Sequence, residues 1–184
     1  MNLVGGAGDV AGEGEGQTGA VQAEVRVTLP SAAATQAWGA ALAKVLRAGD
    51  LVILGGQLGA GKTTLTQGIG AGLNVRGQVA SPTFIIARVH PPLGEGPALV
   101  HVDAYRLESL DQLDALDLDT SLEDSVTVVE WGSGLAERLA GDRLEVWLER
   151  ARGAGVAAGA GGEVRTVVAR GIGQRWAGVR LPEA

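Results

Sequence analysis

Positions 56 to 63 read Gly-Gln-Leu-Gly-Ala-Gly-Lys-Thr, a fit to G-x-x-x-x-G-K-[ST]. The segment lies between an apolar run at 51–54, suited to a strand buried on both faces, and a helical stretch over 62–73. Strand, glycine loop and helix in that order constrain the fold more than any other feature of the chain. Glycines let the backbone wrap closely around a phosphate with its N–H groups inward, and the helix N-terminus adds positive potential. In such a loop Lys62 reaches the β and γ oxygens and Thr63 ligates Mg²⁺. The chain holds 30 glycines, and its 15 basic residues include only two lysines, Lys44 and Lys62. That bias weakens arguments from glycine alone and makes Lys62 unusually informative.

Residues 1–23 are glycine-rich and carry no Lys, Arg or aromatic residue, so they are expected to be a disordered tail. A single domain is expected over 24–184. Within it, Val25, Val27 and Leu29 alternate as a short strand, and Ser31 can cap a helix through Trp38 and Leu42 to Leu46. Gly49 and Asp50 mark a turn. Further β-branched runs at 98–102 and 126–129 end in Asp103 and Glu130, and late strands are expected at 146–148 and 164–169 around a flexible Gly/Ala-rich loop, 153–162. The order implies an α/β fold of the P-loop NTPase type: a mostly parallel central sheet flanked by helices, with antiparallel C-terminal strands. Ligands of such sheets sit at the carboxyl ends of the strands, where Asp103 and Glu130 both fall.

A P-loop alone binds phosphates. Hydrolysis needs a further carboxylate to hold the metal shell or orient water, and local context leaves Asp103 and Glu130 equal for these roles. Either could instead cap the turn that follows it. Trp131 reads as a partly buried packing residue. The segment Ser81-Pro82-Thr83-Phe84 reads equally well as a switch loop crossing the phosphate site or as an ordinary turn. Arg106 could meet phosphate or pair with an acid. The stretch 108–124 is acidic without one basic residue, fitting a solvated face or, more sharply, a docking surface for a basic partner. His90 and His101, each isolated, read as structural.

Absence of cysteine removes disulfides, thiolate chemistry and sulfur-held zinc, and any metal must prefer oxygen ligands. A net charge of −6 argues against a broad nucleic-acid-binding face. No membrane span or secretory signal is visible, which gives a cytoplasmic, non-membrane expectation. The Asn-Lys-x-Asp pattern of guanine specificity is missing, so ATP is preferred over GTP.

Four ordered signatures carry a family resemblance over about residues 25–148: the P-loop through Thr64, Ser81-Pro82-Thr83, His101-Val102-Asp103-Ala104-Tyr105-Arg106-Leu107, and Val129-Glu130-Trp131. The sequence resembles the TsaE (YjeE) family of small P-loop ATPases in bacterial tRNA threonylcarbamoyladenosine (t6A) modification. The resemblance implies nucleotide contacts at Gly56, Leu58, Gly59, Ala60, Gly61, Lys62, Thr63 and Thr64. It further implies contacts from Thr35, Ser81, Thr83 and Trp131. Thr63 and Glu130 would hold the metal, with Asp103 assisting hydrolysis; ATP and Mg²⁺ are the implied cofactors. The TsaD and TsaB proteins are the implied partners, with tRNA met only through that complex. The long N-terminal tail and the insert at 153–162 depart from the family pattern, and the insert leaves any nucleotide contact from Arg165 open. Two other functional classes remain: a nucleotide-dependent docking module with negligible hydrolysis, and a small-molecule kinase, for which no arginine-rich lid is evident.

Overall fold

The computed structural model describes residues 19–80, 87–107, 112, 122–150 and 164–184. The expected tail as far as residue 18, the segment 81–86 with Ser81 and Thr83, most of the acidic stretch and the whole Gly/Ala-rich loop lie outside these residues.

Among the described residues seven strands form one mixed sheet: β1 (Val21–Leu29), β2 (Leu51–Gly56), β3 (Ala87–His90), β4 (Ala98–Asp103), β5 (Ser125–Glu130), β6 (Arg143–Arg150) and β7 (Arg165–Ile172), in the spatial order β1-β7-β6-β2-β5-β4-β3. β6, β2, β5 and β4 run parallel. β7 turns back antiparallel beside β6, β1 pairs antiparallel with β7, and β3 with β4. Central β2 and β5 are buried along their entire length, which explains their unbroken apolar runs, while β6 and β7 alternate because one of their faces stays open to solvent.

Helices α1 (Ala32–Ala43) and α2 (Lys62–Gly72) lie together on one face of the sheet. Trp38, Leu42, Leu65 and Ile69 pack there against Val52, Leu54, Val126 and Val128. The opposite face buries Leu51, Ile53, Val100, Val102 and Val129 beneath Leu107 and Ala136. Ser31 caps α1 as its sequence suggests, its Oγ accepting from Ala34 N at 3.1 Å. The helix stops at Ala43 instead of Leu46. Buried Asp50 organises the turn beyond it: its carboxylate accepts the Arg47 amide at 2.9 Å and two guanidinium bonds from Arg175 at 2.8 Å. β1 begins at Val21, inside the segment expected to be tail, because Val21 pairs with Ile172 of β7. β3 has no counterpart among the expected strands; its four residues are too few to show a period. Among the described residues no helix is long and apolar enough to cross a membrane.

Candidate functional site

β2 ends at Gly56 and α2 begins at Lys62, so the glycine loop springs from the carboxyl end of the central strand. All three of its glycines adopt a positive φ, which is +76° at Gly59. Gly56 has φ +132°, and a Cβ there would lie 2.3 Å from the Leu148 carbonyl oxygen; Gly61, the N-cap of α2, has φ +106°. No side chain caps α2 and no acid occupies its first turn, so its leading N–H groups remain available to an anion. The loop borders a cleft of about 300 Å³.

Lys62 is only 5% exposed. Its ammonium donates to the carbonyls of Gly56 at 2.9 Å and Gln57 at 3.0 Å and stands 3.6 Å from the centre of the Trp131 ring. Burial pushes its pKa below the ordinary value, while the charges of Glu130 and Asp103 pull the other way. A cation held between carbonyls, an aromatic face and two carboxylates suits a ligand that brings its own negative charge.

Parallel pairing sets Asp103 beside Glu130 and Glu130 beside Leu54, so the ends of β4 and β5 meet the foot of the P-loop. Glu130 is 2% exposed. It accepts from the Thr63 hydroxyl at 3.1 Å and from His101 Nε2 at 2.8 Å. The Thr66 hydroxyl lies 3.3 Å from the same carboxylate and 3.0 Å from the Lys62 carbonyl, sharing one proton between them. Asp103 combines both readings open to it: Oδ1 accepts the Tyr105 amide at 3.1 Å, capping the turn, and the side chain still lines the cleft. The hydroxyl of Thr63 and the carboxylate of Glu130 make an all-oxygen pair of the kind Mg²⁺ takes together with substrate phosphates.

The family model for "Threonylcarbamoyl adenosine biosynthesis protein TsaE" matches residues 29–155. The chain belongs to the TsaE family. Among its relatives is a tRNA threonylcarbamoyladenosine biosynthesis protein TsaE of Streptomyces coelicolor, 62% identical over 140 residues, or 76% of this chain and 91% of that protein. The TsaE protein of Mycobacterium tuberculosis strain H37Rv is 54% identical over 130 residues, or 67% of this chain and 77% of its own length. The crystal structure of Bacillus subtilis YdiB superposes with a TM-score of 0.63 at 26% identity, covering 84% of this chain and 89% of that one. The fold is thus that of an α/β P-loop NTPase.

For this TsaE-family chain the residues expected at the site divide in four, of which one group, Ser81 and Thr83, lies outside the described residues. Leu58, Gly59, Gly61, Lys62, Thr63 and Thr64 line the cleft, as do Asp103, Glu130 and Trp131. Gly56 and Ala60 are buried and shape the loop from behind. Thr35 is not among the lining residues; it is fully buried in α1, where its hydroxyl donates to the Ser31 carbonyl at 3.0 Å. Arg106 is likewise not among them. Trp131, read from local sequence as packing, stands at the cleft with φ +62°, a left-handed conformation rare for an aromatic residue, and contacts Tyr105 edge-on at 5.2 Å.

The sequence reading missed His101 and Tyr105 and left Arg165 open. For His101 a signal existed: two residues before Asp103 on a strand, it shares that residue's face. Tyr105 stood in the same quoted signature as Asp103 and Arg106, whereas the place of Arg165 depends on the pairing of β7.

Proposed function

We propose that this chain binds and hydrolyses ATP with Mg²⁺ and thereby supports t6A modification of tRNA by the TsaD and TsaB proteins. The observation that carries the reading is the contact between the P-loop hydroxyl of Thr63 and the strand-end carboxylate of Glu130. It joins the two halves that phosphoryl chemistry needs. Amides of the loop and of the first turn of α2 take the phosphate oxygens, and Lys62 exchanges its loop carbonyls for them. Thr63 and Glu130 hold the metal, which when bound neutralises charge on the phosphates. Asp103, at the neighbouring strand end, orients the attacking water. The two acids can divide these tasks because Glu130 is surrounded by donors while Asp103 is partly open to the cleft.

Phosphate release from Mg-ATP by the purified protein, alone and with TsaD and TsaB, tests this. Lys62→Ala is expected to lower turnover about 100-fold or more, the scale for loss of a group that stabilises developing charge. Turnover by that variant at the wild-type rate would sink the assignment.

The docking-module reading has support of its own at the mouth of the cleft, where Leu58 is 89% exposed and Tyr105 69% exposed. Apolar groups left in water beside a nucleotide site suit a partner that reads the bound state. Glu130→Ala separates the two: a variant that docks on the partners and sustains repeated modification without hydrolysis would favour the module.

A further inference from the structure

β1 closes one side of the sheet, and among the described residues no strand pairs with its outer edge. The strand at the other side, β3, has four residues, whereas β1 has nine. An open edge invites pairing with another strand, and proteins commonly blunt it by shortness, proline, lysine or a bulge. β1 holds neither proline nor lysine, and its one irregularity falls between Val21 and Ala23, which leaves 23–29 in regular register with β7. Its side chains alternate: Ala23, Val25 and Val27 pack toward the core, while Gln22, Glu24, Arg26 and Thr28 are exposed. Glu24 accepts from Arg170 of β7 at 2.6 Å, and Arg26 forms no salt bridge among the described residues.

We infer that the outer edge of β1 is an interface for a second copy of this chain, the two β1 strands pairing antiparallel about Val25 and joining two sheets into one. Charge selects both the occupant and the register. Residues directly opposite each other in an antiparallel pair point to the same face, so a pairing that keeps core face beside core face can change register only two residues at a time. Centred on Val25, it sets Glu24 of each copy opposite Arg26 of the other, Gln22 opposite Thr28 and Ala23 opposite Val27. Centred on Glu24, carboxylate would meet carboxylate; centred on Arg26, guanidinium would meet guanidinium, and both are destabilising. In the favoured register Arg26 gains an ion-pair partner, and Glu24 comes to lie between two guanidiniums. The contact is isologous and closes at two copies. β1 runs parallel to β2, which lies three strands in from the edge. The two P-loops therefore stay clear of the seam and open toward opposite edges of the joined sheet. The pairing goes beyond the nucleotide reading and does not depend on it.

Sedimentation equilibrium of the full chain over about 5–200 µM, at low and high salt and alongside thermal melts, tests the inference on the wild type, Arg26→Glu, Glu24→Arg and an equimolar mixture of the two variants. Wild type is expected to rise from the 18.6 kDa of one chain toward twice that mass, less readily at high salt. Each variant alone sets like charges against each other at both pairs and should raise the dissociation constant at least about tenfold. The mixture restores opposite charges at both pairs and should dimerise about as tightly as the wild type, which variants weakened only by misfolding cannot do. Glu24→Arg also loses its contact with Arg170. Should its melting temperature fall, Arg26→Glu, opposite Val168 of β7, carries the test alone: salt should strengthen its dimer while weakening that of the wild type. Wild type that stays monomeric throughout would overturn the inference. So would Arg26→Glu that dimerises as tightly as the wild type, since the copies would then meet elsewhere, or two folded variants whose mixture stays monomeric.

Discussion

A carboxylate withdrawn from water as far as Glu130 costs on the order of several kcal/mol unless donors surround it. The Thr63 hydroxyl and His101 Nε2 supply them. With Glu130 ionised, Nε2 must carry a hydrogen, and the other ring nitrogen, Nδ1, has no hydrogen-bond partner among the described residues. His101 is thus committed to the carboxylate, and it holds Glu130 in the orientation that meets Thr63. His101→Leu should weaken Mg²⁺-dependent nucleotide binding about 10- to 100-fold, the usual cost of losing a group that orients a metal ligand. Metal-free nucleotide affinity should change little. Titration of mant-ADP with and without Mg²⁺ checks this, and equal losses in both conditions would speak against it. Sequence placed Glu130 at a strand end but read His101 as structural, because its partner is 29 residues away on another strand. Only pairing of β4 with β5 makes them neighbours.

At the scale of elements, the meeting of α1 with α2 fixes how the P-loop helix sits on the sheet. A Cβ on Gly68 would stand 2.2 Å from the Gln36 carbonyl oxygen, and one on Gly39 would stand 2.6 Å from that of Leu65. The helices touch backbone to backbone, and nothing flexible can give way. For Gly68→Ala two effects compete: helix propensity favours alanine by about 1 kcal/mol, whereas crowding a packed contact costs about 1–3 kcal/mol. With backbone as the obstacle, crowding should win by about 1–2 kcal/mol, a fall in melting temperature of roughly 2–8 °C. A thermal melt of the variant decides it, and a rise would show that the helices separate easily. In a chain with 30 glycines, sequence cannot say which are needed. The structure does: Gly39, Gly56 and Gly68 face backbone atoms, while Gly49 and Gly59, where a Cβ would meet nothing within 4 Å, are held to glycine by φ of +90° and +76°.

Across the whole molecule, four parallel strands carry their carboxyl ends to one edge, and the loops after β2, β4 and β5 bring Lys62, Asp103 and Glu130 together there. A ligand held by groups from so many strands should stabilise the entire fold. Nucleotide at about 100 times its dissociation constant adds about 2.7 kcal/mol to stability, a rise of roughly 5–10 °C in melting temperature. Mg-ADP should produce that rise in the wild type and not in Lys62→Ala, as read by a thermal shift assay; equal shifts would place the ligand elsewhere. Sequence by itself determined the strand-loop-helix unit, the two apolar strand runs that follow it and the acids at their ends, because these depend on local spacing and on a glycine loop whose backbone has few alternatives. Tertiary structure alone decided that β6 joins the sheet parallel to β2, that His101 meets Glu130 behind the cleft, and that Tyr105 and Arg165 line it. Each of those outcomes depends on which strands become neighbours, a choice made by burial across the whole chain and not written in any short stretch of it.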